Sequence, residues 1–311
     1  MANRRRIGNL VGIAIGLLGL GFVGIRLADD WPSVTEALSD ANWWLVALAL
    51  ILGLAGMTTI GLNWHFILRD LGAEVPSVQA SLHQYFVGQL GKYVPGGIWP
   101  IVGRAEMAHR GGASRTAAYG GTLMSLAATY LASLLTAALL LASSLLRGDS
   151  PSWAVWLLFL IPVGILLLHP RVLNWGIGWM SRVLKRELSI QLPSWSRSIT
   201  TIALHVPSWL AISGATWLIS KALGGDVGFD LIGVATCIAW FLGFVVIGLP
   251  GGIGVREAVF VSLASPLGPS LAATVALVAR AIFVIVDLVG AGLSTGIHWA
   301  RASETPKPGP G

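Results

Sequence analysis

The chain has 311 residues, 55% of them hydrophobic and 11% charged, with a mean hydropathy of +0.76. Soluble domains carry about a quarter charged residues, so this composition excludes a soluble globular protein and points to a polytopic membrane protein. The net charge of +6 comes from basic residues dispersed at the ends of apolar runs, which argues for topology signals and attraction to anionic lipid, not for a nucleic-acid surface, and the lone Cys237 excludes a disulfide framework or a cysteine-rich metal centre.

In chain order, Arg4, Arg5 and Arg6 precede an uncharged run that predicts a first helix over about 7–27. It is expected to be retained, because no small-x-small cleavage pattern precedes Asp29 and Asp30. Further spans are predicted over 41–68, 116–146, 150–170 and 198–220, each long enough to cross about 30 Å of hydrocarbon. A last one over 270–300 contains Arg280 and Asp287. These two charges are about two turns apart, so each must face the bundle interior and find a partner on a neighbouring element. Between spans, 171–190 mixes Trp175 and Trp179 with Arg182, Lys185 and Arg186, the pattern of an amphipathic helix lying on the cytoplasmic leaflet. A Pro/Gly-rich stretch, 302–311, is predicted to be a disordered tail. The 14 tryptophans are read as an interfacial belt.

Two weaker apolar regions remain, 81–103 and 231–266, and each carries the tetrapeptide Pro-Gly-Gly-Ile, at Pro95 and at Pro250. Proline and glycine there break a helix at membrane depth, where freed backbone groups are tolerated only inside protein or beside a watery cavity. Both regions are therefore predicted to be re-entrant helical hairpins. The two tetrapeptides lie 155 residues apart, and Leu71-Gly72 and Leu223-Gly224 lie 152 apart, so the chain reads as two similar halves, 1–149 and 150–301. The predicted fold is all-α: an inverted repeat of three transmembrane helices plus one re-entrant hairpin per half, six full spans in all. The distribution of Arg and Lys places both termini in the cytoplasm of a cell-membrane protein. Inverted repeats with broken helices near the midplane are the architecture of alternating-access transporters.

Moving a lipid headgroup across oil requires donors that compensate its phosphate. Lys92, Arg104, Arg256 and Arg280 are the candidate phosphate partners, and the breaks at Pro95, Gly96, Gly97, Pro250, Gly251 and Gly252 allow close backbone approach at opened helix N-termini. Tyr93 and Trp99 flank the first break. Glu106, Glu257 and Asp287 could couple movement to protons. His83, Gln84 and Gln89 either line the groove or make interhelical hydrogen bonds, and His65 and His205 are read as structural. Simpler readings stand beside these: local ion pairs of Arg104 with Glu106 and of Arg256 with Glu257, and Lys92 snorkelling to water. Gly91-Lys92 lacks the upstream glycine of a phosphate-binding loop and is followed by Tyr93, so ATP hydrolysis is not expected. No metal or cofactor is implied.

The segments from Gly88 through Pro95-Gly96-Gly97-Ile98 to Arg104, and from Leu249 through Pro250-Gly251-Gly252-Ile253 to Ala258, resemble the signatures of the lysylphosphatidylglycerol synthase transmembrane family. The resemblance implies a flippase-like domain that moves a lipid between leaflets, in a stand-alone form without the soluble aminoacyl-transferase domain of the synthases. The expected function is a non-enzymatic lipid flippase carrying an anionic or aminoacylated phospholipid or a polyprenyl-phosphate-linked sugar. A membrane-embedded headgroup transferase, or a non-catalytic membrane partner of a soluble synthase, are the alternatives. The expected partners are membrane lipids.

Overall fold

The structure is a computed structural model that describes residues 32, 34–72, 77–94, 98–148, 171, 175, 194–245, 252 and 254–304. Every regular element among the described residues is helical. The predicted helices over 7–27 and 150–170, nearly all of 171–190, and Pro95, Gly96, Gly97, Pro250 and Gly251 lie outside them.

Helix α1 (Trp43–Asp70) starts at Asn42, whose side chain accepts the otherwise unpaired Trp44 and Leu45 N–H groups at 3.1 and 3.4 Å. After it come α2 (Val78–Gln89), which tightens into a 3-10 turn over Leu90–Tyr93, then α3 (Trp99–Arg110) and α4 (Arg115–Leu146). The second half contains α5 (Trp195–Ala222), α6 (Phe229–Val245), α7 (Val255–Leu263) and α8 (Pro269–Glu304). Among the described residues α1, α4, α5 and α8 are long and apolar enough to cross a membrane, and they occupy four of the predicted spans.

Helices α1 and α5 are each 28 residues long and run antiparallel. At one end the Asn42 N–H donates to the Ala222 carbonyl at 3.0 Å. At the other, the Arg197 guanidinium forks onto both oxygens of Asp70. Between these ties the backbones close in: a Cβ on Gly56 would lie 2.9 Å from the Ser208 carbonyl, and one on Gly214 2.7 Å from Leu52. Membrane helices gain little from hiding oil from oil, so such close packing over small residues is what holds them together.

The short helices fill the two regions read as hairpins. Helices α2 and α3 pack on each other, α2 also on α1 and α8, and α7 lies between α6 and α8. Two boundaries are corrected. The first region does not end at 103, because nothing interrupts α3 until Gly111 and Gly112, the latter at φ 112°. The predicted tail does not begin at 302, because α8 continues to Glu304 through residues such as Ala302 that favour helix. The tryptophan reading is also revised. Trp43, Trp44, Trp175 and Trp299 are exposed, but Trp64 and Trp209 are fully buried and so cannot serve as interfacial anchors.

Candidate functional site

The 3-10 turn after α2 delivers two side chains to one carboxylate. A Cβ on Gly91 would meet the Trp99 and Pro100 backbone at 2.8 Å, so this turn folds tightly onto the start of α3 only because residue 91 is glycine. Lys92 Nζ then lies 2.6 Å from Asp287 Oδ2, and the Tyr93 hydroxyl donates to the same oxygen. Asp287 is completely buried on α8, and among the described residues its Oδ1 has no hydrogen-bond partner. Lys92 does not snorkel to water. Its ammonium sits 5.2 Å from the Tyr93 ring centre and 5.6 Å from that of Trp240.

Arg104, on α3, faces back toward α2. It is 1% exposed, with its guanidinium 5.5 Å from the Trp64 ring and 5.2 Å from the Tyr85 ring. Gly88 makes this possible, since a Cβ there would stand 3.0 Å from that of Arg104. Among the described residues the polar contact of the guanidinium is a long one, Nη1 to Ser125 Oγ at 3.5 Å, and Nε is buried without a partner. Glu106 is not the counter-ion. It pairs one turn along with Arg110, at 3.7 Å on the partly exposed side of α3.

The second hairpin builds a matching arrangement. Gly252 sits at φ 68°, where a side chain would also collide with the Gly243 carbonyl at 2.7 Å, and Gly254, at φ 84°, turns the chain into α7. The Gly254 N–H donates to Glu257 Oε2 at 2.7 Å, closing the exposed helix N-terminus. Glu257 Oε1 accepts from Arg280 Nη1 at 3.1 Å, so the expected Arg256–Glu257 pair is replaced by Glu257–Arg280. Arg256 instead lies over Trp240, its guanidinium 3.7 Å from the ring centre, with Phe283 at 5.7 Å. Gly243 faces the Arg256 Cβ at 3.2 Å.

These groups form one centre. Tyr130 lies within electrostatic reach of both Arg104 and Arg256. Its ring stacks on Phe244 at 3.9 Å and approaches Trp209, which meets Trp240 edge-on at 5.7 Å. A cavity of about 10 Å³ beside Arg256, Thr216 and Thr236 has room for a single water. A larger cavity, about 540 Å³, opens instead between the end of α1 and the start of α5, beside Arg69, Asp70 and Arg197.

Of the sequence candidates, Lys92, Tyr93, Arg104, Arg256, Glu257, Arg280 and Asp287 converge, with Gly252 shaping the second turn. Gln89 joins at the edge through a 3.3 Å bond to the Tyr85 hydroxyl. Glu106 and His83 do not: His83 stacks on His298 at 4.9 Å and bonds Thr295, on the other side of α2. Gln84 reaches the Met107 carbonyl at 3.5 Å and serves helix packing. His65 and His205 make the hydrogen bonds of structural residues, to Ser81 and to the Thr201 carbonyl. The aromatic platforms Trp64, Tyr85, Tyr130 and Trp240 were missed, although Tyr85 and Trp240 stand 155 residues apart, as do Gly88 and Gly243 and the two tetrapeptides.

None of the curated proteins compared with the chain matches it. The family model described as the lysylphosphatidylglycerol synthase TM region matches residues 9–290, and the chain therefore belongs to that family of multi-pass membrane proteins with a lipid-related role.

Proposed function

We propose that the protein is a lipid flippase, moving a phosphate-bearing lipid between the leaflets of the cytoplasmic membrane through the centre where the two hairpins meet. The observation that carries this reading is a set of four cations drawn into an otherwise apolar bundle beside two helix breaks, Arg104 fully buried and Lys92, Arg256 and Arg280 half-buried. Charges at membrane depth are costly and mark the path of a polar substrate. Helices α2 and α3 have 12 residues each, about 18 Å of rise, too short to cross about 30 Å of hydrocarbon, which suits re-entrant arms.

Alternating access follows from an inverted repeat, and several contacts suit that symmetry. The equivalent helices α1 and α5 are antiparallel, and Gly56 meets Ser208, a residue 152 positions on, at their crossing. Each hairpin then presents one arginine on an aromatic face behind one glycine. A pseudo-twofold axis through that crossing gives two states of equal construction, one open to each side. The termini lie in the cytoplasm in this scheme, and no chemical step is assigned to the protein.

Reconstitution of the purified chain in liposomes containing fluorescent lipids tests the proposal. The expected result is leaflet exchange that falls about tenfold or more in Arg256→Ala, the loss that removing about 1.4 kcal/mol of stabilisation produces. Absence of exchange for every lipid class would overturn it, and a new lipid product would favour the transferase reading.

A further inference from the structure

The charges of this centre do not cancel. Among the described residues, Asp287 is matched by Lys92 and Glu257 by Arg280, and the remaining two cations, Arg104 and Arg256, make no ion pair with a carboxylate. Arg104 is buried with its Nε unpartnered, and Arg256 rests on Trp240. The centre thus holds two positive charges in excess. Tyr130 lies within electrostatic reach of both.

Aromatic faces orient a guanidinium plane but do not neutralise it, and an uncompensated buried cation is unfavourable unless a ligand supplies the opposite charge. We infer that the cargo is a lipid whose headgroup is a phosphate monoester, carrying about −2 near neutral pH. Such a group cancels the surplus, and its oxygens accept the paired donors of two guanidinium forks. A phosphodiester carries one charge and leaves one arginine unmatched. An aminoacylated headgroup brings ammonium groups into a centre that is already positive, so the cargo is not of that class. This inference rests on the flippase reading for the role of the site and adds the charge class of what it carries.

Binding to the full chain in phosphatidylcholine nanodiscs decides it, with four probes: a prenyl monophosphate, its monomethyl ester, inorganic phosphate and lysylphosphatidylglycerol. The monophosphate is expected to bind, the ester about tenfold more weakly for the lost charge, and inorganic phosphate about a hundredfold more weakly for the lost chain. Arg104→Gln and Arg256→Gln each lower monophosphate affinity about tenfold or more. Thermal unfolding without ligand guards against misfolding: because Arg104 is uncompensated, Arg104→Gln should melt at or above the wild-type temperature. Equal affinity for ester and monophosphate, tight binding of the lysyl lipid, inorganic phosphate binding as well as the prenyl form, or a destabilised empty Arg104→Gln would each overturn the inference. Leaflet exchange without preference for the monophosphate removes this charge assignment and leaves translocation standing. Selective binding without leaflet exchange does the reverse.

Discussion

Arg104 and Arg256 occupy comparable places, each on the second arm of a hairpin, behind a glycine of the first arm and against an aromatic ring, yet they are held by different means. Arg104 is enclosed by packing: Trp64 and Tyr85 lie on its faces, Gly88 presses against its Cβ, and the hydroxyl of Ser125 is at the limit of a hydrogen bond. Arg256 is only half-buried and rests on Trp240, on a turn that a neighbouring ion pair and two glycines set. Its neighbour Glu257 ties the Gly254 N–H to Arg280, and a water-sized cavity adjoins it. One chemical motif is thus supported once by close packing and once by a turn that an ion pair braces. Steric changes should injure the first site more and charge changes the second.

The largest effect is expected where the first turn is tied to α8. Asp287 holds Lys92 and Tyr93 to α8, and removing one partner of a buried pair leaves an uncompensated charge at a cost of about 3–5 kcal/mol. Asp287→Ala should therefore lower the thermal midpoint in detergent far more than any change at either arginine. A double-mutant cycle with Lys92→Met should return a coupling above about 1 kcal/mol. Additive losses would mean that the first turn is held by packing alone.

Next come the glycines. Gly88→Ala drives a methyl to 3.0 Å from the buried Arg104 Cβ, with the Arg104 backbone at 3.4 Å, whereas Gly243→Ala meets the Arg256 Cβ at 3.2 Å. Overpacking costs about 1–3 kcal/mol, with Gly88 toward the upper end because Arg104 has no room to retreat. Equal losses, or a larger one at Gly243, would break the distinction. Glu257→Gln sharpens it from the other side. The amide can still accept from Gly254, but the charged bond to Arg280 is lost, a change of about 1–2 kcal/mol. Leaflet exchange should fall with it, while the matching change Ser125→Ala beside Arg104 should be nearly silent in both measurements.

Much of this centre was legible because the chemistry that makes it costly is sparse in an apolar sequence. Arg280 and Asp287 interrupt a long hydrophobic run, and burying them demands partners on other elements, which the structure supplies as Glu257 and Lys92. The pairing itself was less legible. Sequence proximity suggested Arg256–Glu257 and Arg104–Glu106, but both arginines turn onto aromatic rings and leave the carboxylates to Arg280 and Arg110. The aromatic platforms were hidden because tryptophan in a membrane protein usually marks the interface, and only the 155-residue offset shared by Tyr85 with Trp240 and Gly88 with Gly243 marks them as interior. The overrun of α3 past 103 was hidden because hydrophobicity, the signal used to end a membrane segment, falls before the helix does.

The smallest expected effect is at the periphery, and it tests whether burial sets the worth of these charges. Lys221 donates to Asp226 Oδ1 at 2.7 Å in the α5–α6 connection, where Asp226 is fully exposed. That hydrogen bond, with the attraction of the ammonium, holds the Asp226 carboxyl below the usual carboxylate range. A carboxyl depressed in the folded state adds stability above its unfolded pKa, and that contribution is lost as pH falls through the folded value. Solvent screens an exposed pair until little remains, so Asp226→Asn should leave both the thermal midpoint and its decline between about pH 5 and 3 unchanged. A clear loss at neutral pH that vanishes in acid would show that an exposed pair matters to this fold. The central carboxylates would then owe less to burial than the contrast between the two arginines requires.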